Sequence, residues 1–120
     1  MKRLIFFLLL TVSFYANADC RVDLAAATGA GNSIAFSVDE GRTATILITA
    51  AAGHTAAEYS DIQMSQDGGT TWEDLYQNTA QVRLHATNTA VTVYGPGTFR
   101  IAKEATTNAT AINRCIKGFL

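Results

Sequence analysis

Between residues 43 and 50 the chain alternates strictly: Ala44, Ile46, Ile48 and Ala50 fall on one side, and Thr43, Thr45, Leu47 and Thr49 on the other. A period of two with β-branched enrichment is the pattern of a β-strand. Residues 59–65 repeat it, with Ile62 and Met64 opposed to Asp61, Gln63 and Ser65. Asp67-Gly68-Gly69 then supplies residues that tolerate positive φ, so residues 72–76 are predicted to return antiparallel. Shorter strands are predicted at 33–38, 82–86, 91–94, 98–103 after the Gly95-Pro96-Gly97 turn, and 109–116. Residues 21–27 read as a short lead-in, 28–32 as turn-prone, Asp39-Glu40-Gly41 as a solvated turn, and 51–55 as a loop beside alanines able to support a helical turn. Together these predict an all-β fold, a single antiparallel β-sandwich of about seven to eight short strands. No repeat, heptad, low-complexity tract or linker interrupts it.

The first 18 residues follow a different pattern. Lys2 and Arg3 precede the apolar block from Leu4 to Leu10, and Ala16-Asn17-Ala18 places small side chains at the last and third-last positions of a leader. This is the order of a secretory signal peptide. Counted generously, residues 4–15 fall well short of the roughly 20 apolar residues of a spanning helix. The expectation is cleavage before Asp19, a single domain over 19–120, no membrane span after cleavage, and a secreted or periplasmic product.

Removing Lys2 and Arg3 leaves seven scattered basic residues against ten acidic ones, a formal charge near −3 for residues 19–120. Nucleic acid is a poor partner for such a surface, because phosphate binding needs clustered Lys and Arg. Two cysteines, Cys20 and Cys115, bracket that segment, and export favours their pairing. A lipidated Cys20 is the alternative, but that signal wants a small residue where Asp19 stands.

The sharpest local motif is Ser65-Gln66-Asp67-Gly68-Gly69-Thr70-Thr71-Trp72, which matches the Asp-box pattern S-x-D-x-G-x-T-W. Ser65, Asp67 and Thr71 can bond main-chain groups of a hairpin turn, Gly69 takes a conformation other residues resist, and Trp72 is expected to fold back into the apolar core. The motif is specific for a hairpin and says little about function. In families that carry it, sialidases among them, it lies away from the catalytic centre.

A broader resemblance covers residues 62–111. The run from Ile62 to Leu75, followed by Thr92-Val93-Tyr94-Gly95-Pro96-Gly97-Thr98-Phe99-Arg100-Ile101, resembles small β-sandwich structural proteins of tailed-phage virions, in which a D-G-G-T-T-W hairpin precedes a G-x-G-T-[FY]-R strand. The resemblance implies a non-enzymatic decoration or fibre-type role with the hairpin and the Phe99 strand as framework. The leader departs from it, since such virions assemble in the cytoplasm.

Other chemistry is sparse. A small secreted ribonuclease would draw on Glu58 or Glu73, Arg83 or Arg100, and His85, yet residues 86–120 hold no histidine where such enzymes place theirs. His54 and His85 have no neighbours at metal-ligand spacing, and Gly29-Ala30-Gly31 lacks the rest of a dinucleotide fingerprint. Asn108-Ala109-Thr110 fits the glycosylation pattern without a leader that indicates a glycosylating host. Tyr59, Tyr76, Tyr94 and Trp72 form a sugar platform only if they share an exposed face. The expectation is therefore an exported structural or binding module with no catalytic, cofactor or metal residues. Its partner is an assembly protein or a surface glycan, self-association included; a carbohydrate-binding domain is the first alternative and a ribonuclease-like enzyme the second.

Overall fold

The computed structural model describes residues 19–49 and 53–117. The predicted leader and Ala50 lie outside the described residues. Twelve strands are present among those described: β1 Asp19–Ala27, β2 Gly31–Asn32, β3 Phe36–Val38, β4 Thr43–Ile48, β5 Ser60–Ser65, β6 Glu73–Asp74, β7 Tyr76–Gln77, β8 Ala80–Gln81, β9 Arg83–Leu84, β10 Ala90–Tyr94, β11 Gly97–Lys103 and β12 Thr110–Lys117. The all-β expectation holds, and every pairing is antiparallel.

One sheet has the order β1-β12-β4-β10. The second is built on the β11–β5 pair, with β2 and β3 sharing the outer side of β11 and β6 and β9 sharing the outer side of β5. Alternation sends Ala44, Ile46, Val93 and Ile112 from the first sheet, and Phe36, Val38, Ile62, Leu84, Phe99 and Ile101 from the second, into one apolar cluster. Each of these side chains is almost completely removed from water, and that burial is the main favourable term holding the two sheets together.

The strand count exceeds the predicted seven or eight for identifiable reasons. Residues 33–38 do not form one strand. The Ser33 hydroxyl accepts the Ile101 N–H at 2.8 Å while the Ser33 N–H donates to the Ile101 carbonyl at 2.8 Å. The side chain thus replaces a main-chain ladder group, and Ile34 is pushed out, 83% exposed. Residues 82–86 are likewise divided, because the Val82 N–H donates to Leu75 and its carbonyl accepts from Ile62, tying the β7–β8 hairpin to β5. The return strand is only Glu73–Asp74, and Tyr76 departs into that hairpin. Residues 21–27, read as a lead-in, belong to the nine-residue β1. Its register against β12 shifts twice, between Val22 and Leu24 and between Leu24 and Ala27. A bulge erases the period of two on which strand recognition depends.

Two turns fix how the sheets meet. The Gly95 N–H donates to Arg42 O at 3.0 Å, and a Cβ on Gly95 would run into the main chain of Val38 and Asp39. Glycine is thus required there by close approach of two backbones. Glu40 and Gly41 form the facing turn, and Gly41 has φ 80°.

Candidate binding face

The Asp-box residues form a self-contained turn. Asp67 Oδ1 accepts from the Ser65 hydroxyl at 2.8 Å, the Thr70 N–H at 3.0 Å and the Thr71 N–H at 2.8 Å, and Oδ2 accepts the Thr71 hydroxyl at 2.6 Å. The Ser65 oxygen in turn accepts the Gly69 N–H at 2.8 Å. Gly68 and Gly69 have φ of 75° and 101°, the left-handed region that glycine occupies without strain. These bonds, the Thr71 hydroxyl first, hold the Asp67 carboxyl far below the usual carboxylate range. Its acceptor capacity is spent on the turn, so Asp67 serves the hairpin.

Trp72 departs from expectation. It is half-buried and stands apart from the interior apolar cluster. Its ring lies below the Arg100 guanidinium, 4.6 Å from the ring centroid. Arg100 occupies an outward position on β11, directly opposite Gln63 of β5. Its Nε donates to Gln63 Oε1 at 2.8 Å, and Gln63 Nε2 donates to Asp74 Oδ1 at 3.0 Å. Trp72, Arg100, Gln63 and Asp74 therefore form one continuous row on the outer face of the second sheet.

A second row lies beside it. Asp61 of β5 pairs in register with Arg83 of β9, and Arg83 Nε donates to Asp61 Oδ1 at 2.8 Å. The same guanidinium stacks 4.2 Å from the Tyr59 centroid, and the His85 ring lies 5.8 Å from Tyr59. The hydrogen bond to Asp61 raises the Arg83 pKa further, so this cation is permanent. His85 is placed by contacts of Nδ1 with the Thr87 N–H at 3.3 Å and hydroxyl at 3.1 Å. The face thus carries two arginines, each laid on an aromatic ring and each fixed by a polar neighbour.

The other residues singled out by sequence are scattered. Glu58 accepts the Thr55 N–H at 2.8 Å, the Thr107 N–H at 2.7 Å and the Thr107 hydroxyl at 2.8 Å. These bonds, the Thr55 main chain first, lower its pKa to about 2. Glu73 is exposed on β6. His54 is buried, with Nε2 at 2.7 Å from the Ser60 hydroxyl, and burial lowers its pKa. Tyr76 and Tyr94 are 59% and 65% exposed on the β7–β8 hairpin and on the first sheet, so the four aromatics do not form a single platform. Among the described residues no group of His, Cys, Asp and Glu is arranged to hold a metal.

Cys20 and Cys115 are joined by a disulfide. They are directly opposed in the β1–β12 ladder, so the pairing register itself brings the sulfurs together. Among the described residues no helix is long and apolar enough to cross a membrane.

The sequence pointed to Arg83, Arg100, His85, Tyr59 and Trp72 separately. It gave no sign that Asp61, Gln63 and Asp74 would hold them in rows, because that depends on the β5–β11 and β5–β9 registers. No family model, curated protein or solved structure matches the chain.

Proposed function

We propose that the protein is an exported, non-enzymatic binding or assembly module that works in the periplasm or outside the cell. It engages a protein partner through the outer face of its second sheet. The carrying observation is the pair of arginine–aromatic stacks, Arg100 on Trp72 and Arg83 on Tyr59, on one face. Trp, Tyr and Arg dominate the energetics of protein interfaces, and here their rotamers are held before a partner arrives, which reduces the ordering cost of association. A virion-like or envelope-associated assembly is the form of this role that the phage resemblance implies.

A glycan is less well served, because each ring already has a guanidinium on one side, where a sugar would stack. Catalysis is less well served still. A carboxylate bound by three donors with a pKa near 2, as Glu58 is, makes a weak general base at neutral pH.

The test places a photo-crosslinking residue at Ala102, opposite Asp61 on this face, or at Thr45 on the outer face of the first sheet, in the protein as exported by its host. Adducts are expected from position 102, and Arg100→Ala with Arg83→Ala should abolish them. Equal adducts from position 45 would overturn the assignment. RNA cleavage lost on His85→Ala, or quenching of Trp72 by oligosaccharides, would favour the two rivals.

A further inference from the structure

The edges of the two sheets are protected unequally. β1 is broken by two register shifts and carries Arg21 and Asp23, and the outer strands of the second sheet are pieces of two or three residues. Bulges, charges and short lengths all discourage strand addition. β10 has none of these protections. It is a five-residue strand, regular against β4, and residues 87–97 contain no charge.

The pairing also shows which β10 groups have no ladder partner among the described residues. Ile48 N–H donates to Thr89 O at 2.9 Å and Gly95 N–H to Arg42 O at 3.0 Å, so the residues bonded to β4 are Thr89, Val91, Val93 and Gly95. Antiparallel geometry then turns the N–H and C=O of Ala90, Thr92 and Tyr94 away from β4. A cleft of about 230 Å³ runs beside this edge, with Val91 and Thr92 on one side and Gln77 and Gln81 of the β7–β8 hairpin on the other. Asn88 and Val82 complete the part that matters chemically.

We propose that this cleft binds an extended, uncharged polypeptide segment of a partner, which adds as a strand to β10. Main-chain amides are neutral groups that both donate and accept. The carboxamides of Gln77 and Gln81 match that chemistry, and Val82 and Val91 give an apolar side chain a floor. Strand addition draws affinity from main-chain bonds and specificity from alternate side chains. The cleft lining contains no aromatic ring, so a pyranose would lack its stacking surface. A second copy of the chain is also disfavoured, since its own β10 arrives with the β7–β8 hairpin alongside. The site adjoins the second-sheet face at Asn88, whose side-chain amide donates to Arg83 O at 2.9 Å, but its test alters neither arginine stack and is independent of that proposal.

The test selects a displayed library of random nonapeptides against the oxidised, exported protein, in parallel with Thr92→Pro and Gln81→Lys. Proline at position 92 deletes an outward N–H while the main-chain bonds to β4 remain, a substitution that edge strands accept. Gln81→Lys leaves β10 untouched and places a charge in the cleft, so it reads the site should Thr92→Pro fold poorly. Selection should yield uncharged, proline-poor peptides that slow hydrogen exchange at the Ala90, Thr92 and Tyr94 amides. They should bind either variant at least tenfold more weakly and lose affinity when alternate peptide nitrogens are methylated. Failure to recover peptides beyond the Gln81→Lys background, or protection elsewhere in the protein, would overturn the proposal. It would equally be overturned if cellotetraose, or self-association seen by sedimentation, protected the same amides instead.

Discussion

Glu58 illustrates how a residue that looks catalytic in sequence is consumed by structure. It bridges the 53–59 loop to Thr107, and its carboxylate form is favoured by the three donors around it. Its pKa of about 2 in the fold lies below the ordinary 4.5. The unfolded chain therefore takes up a proton at higher pH than the folded one. The stability Glu58 contributes is present above about pH 4.5 and is lost as pH falls towards 2. Glu58→Gln, followed by thermal unfolding across that range, should be less stable than the parent at neutral pH, with the difference closing as pH approaches 2. A difference that persisted at pH 2 would mean that packing, not ionisation, is what Glu58 supplies. Asp67 adds a slope of the same sign in both proteins, so the comparison isolates Glu58.

At the scale of elements, the disulfide clips β1 to β12, its one ladder partner among the described residues. It closes a separation of 95 residues, for which the chain-entropy model gives about 4 to 5 kcal/mol of stabilisation. Cys20→Ser with Cys115→Ser should lower the urea unfolding free energy by up to about that amount. Amide exchange should quicken most along the first residues of β1, because an edge strand bulged at two points has few other restraints. Uniform quickening across both sheets would instead show that the bridge governs the whole molecule equally.

The same strand shows where the sequence stopped being legible. Alternation in β4 and in β5 up to Gln63 survives folding and was readable, as were the Gly68-Gly69 turn, the Gly95 turn and the cysteine pair; at the end of β5 it breaks, with Ser65 buried beneath the turn. β1 was missed because its bulges break the period. The β7–β8 hairpin was missed because its turn uses Asn78 and Thr79, with φ of 50° and 68°, where the recognisable signal would be Asn-Gly. The rows on the candidate face were illegible for a third reason. Contacts such as Arg100 with Gln63 span 37 positions and exist only once a register is chosen.

For the whole molecule, the joint between the two sheets includes a charge that the apolar pattern does not announce. Ile112, Arg114 and Ile116 share the inward side of β12, so Arg114 enters the interior with a side chain only 6% exposed. Asp23 meets it, Nε to Oδ2 at 3.1 Å and 7% exposed, at the position where the β1 register shifts. The guanidinium also lies 4.2 Å from the Phe36 centroid, joining β12 of one sheet to β3 of the other. Burial raises the Asp23 pKa more than Arg114 and Arg21 lower it. The pair is thus incompletely compensated, and a raised folded pKa means that Asp23 favours the folded state most below its unfolded value and less as pH rises. Removing one member of such a pair takes a counter-charge from a buried ion, whereas replacing both members need not destabilise. Asp23→Ala should therefore destabilise in denaturant unfolding, by up to about 3 to 5 kcal/mol. Asp23→Leu with Arg114→Met should recover most of that loss, the methionine sulfur keeping a favourable contact with the Phe36 ring. If the double variant were as unstable as Asp23→Ala, the ion pair would be a specific requirement of the joint between the sheets and not a tolerated cost.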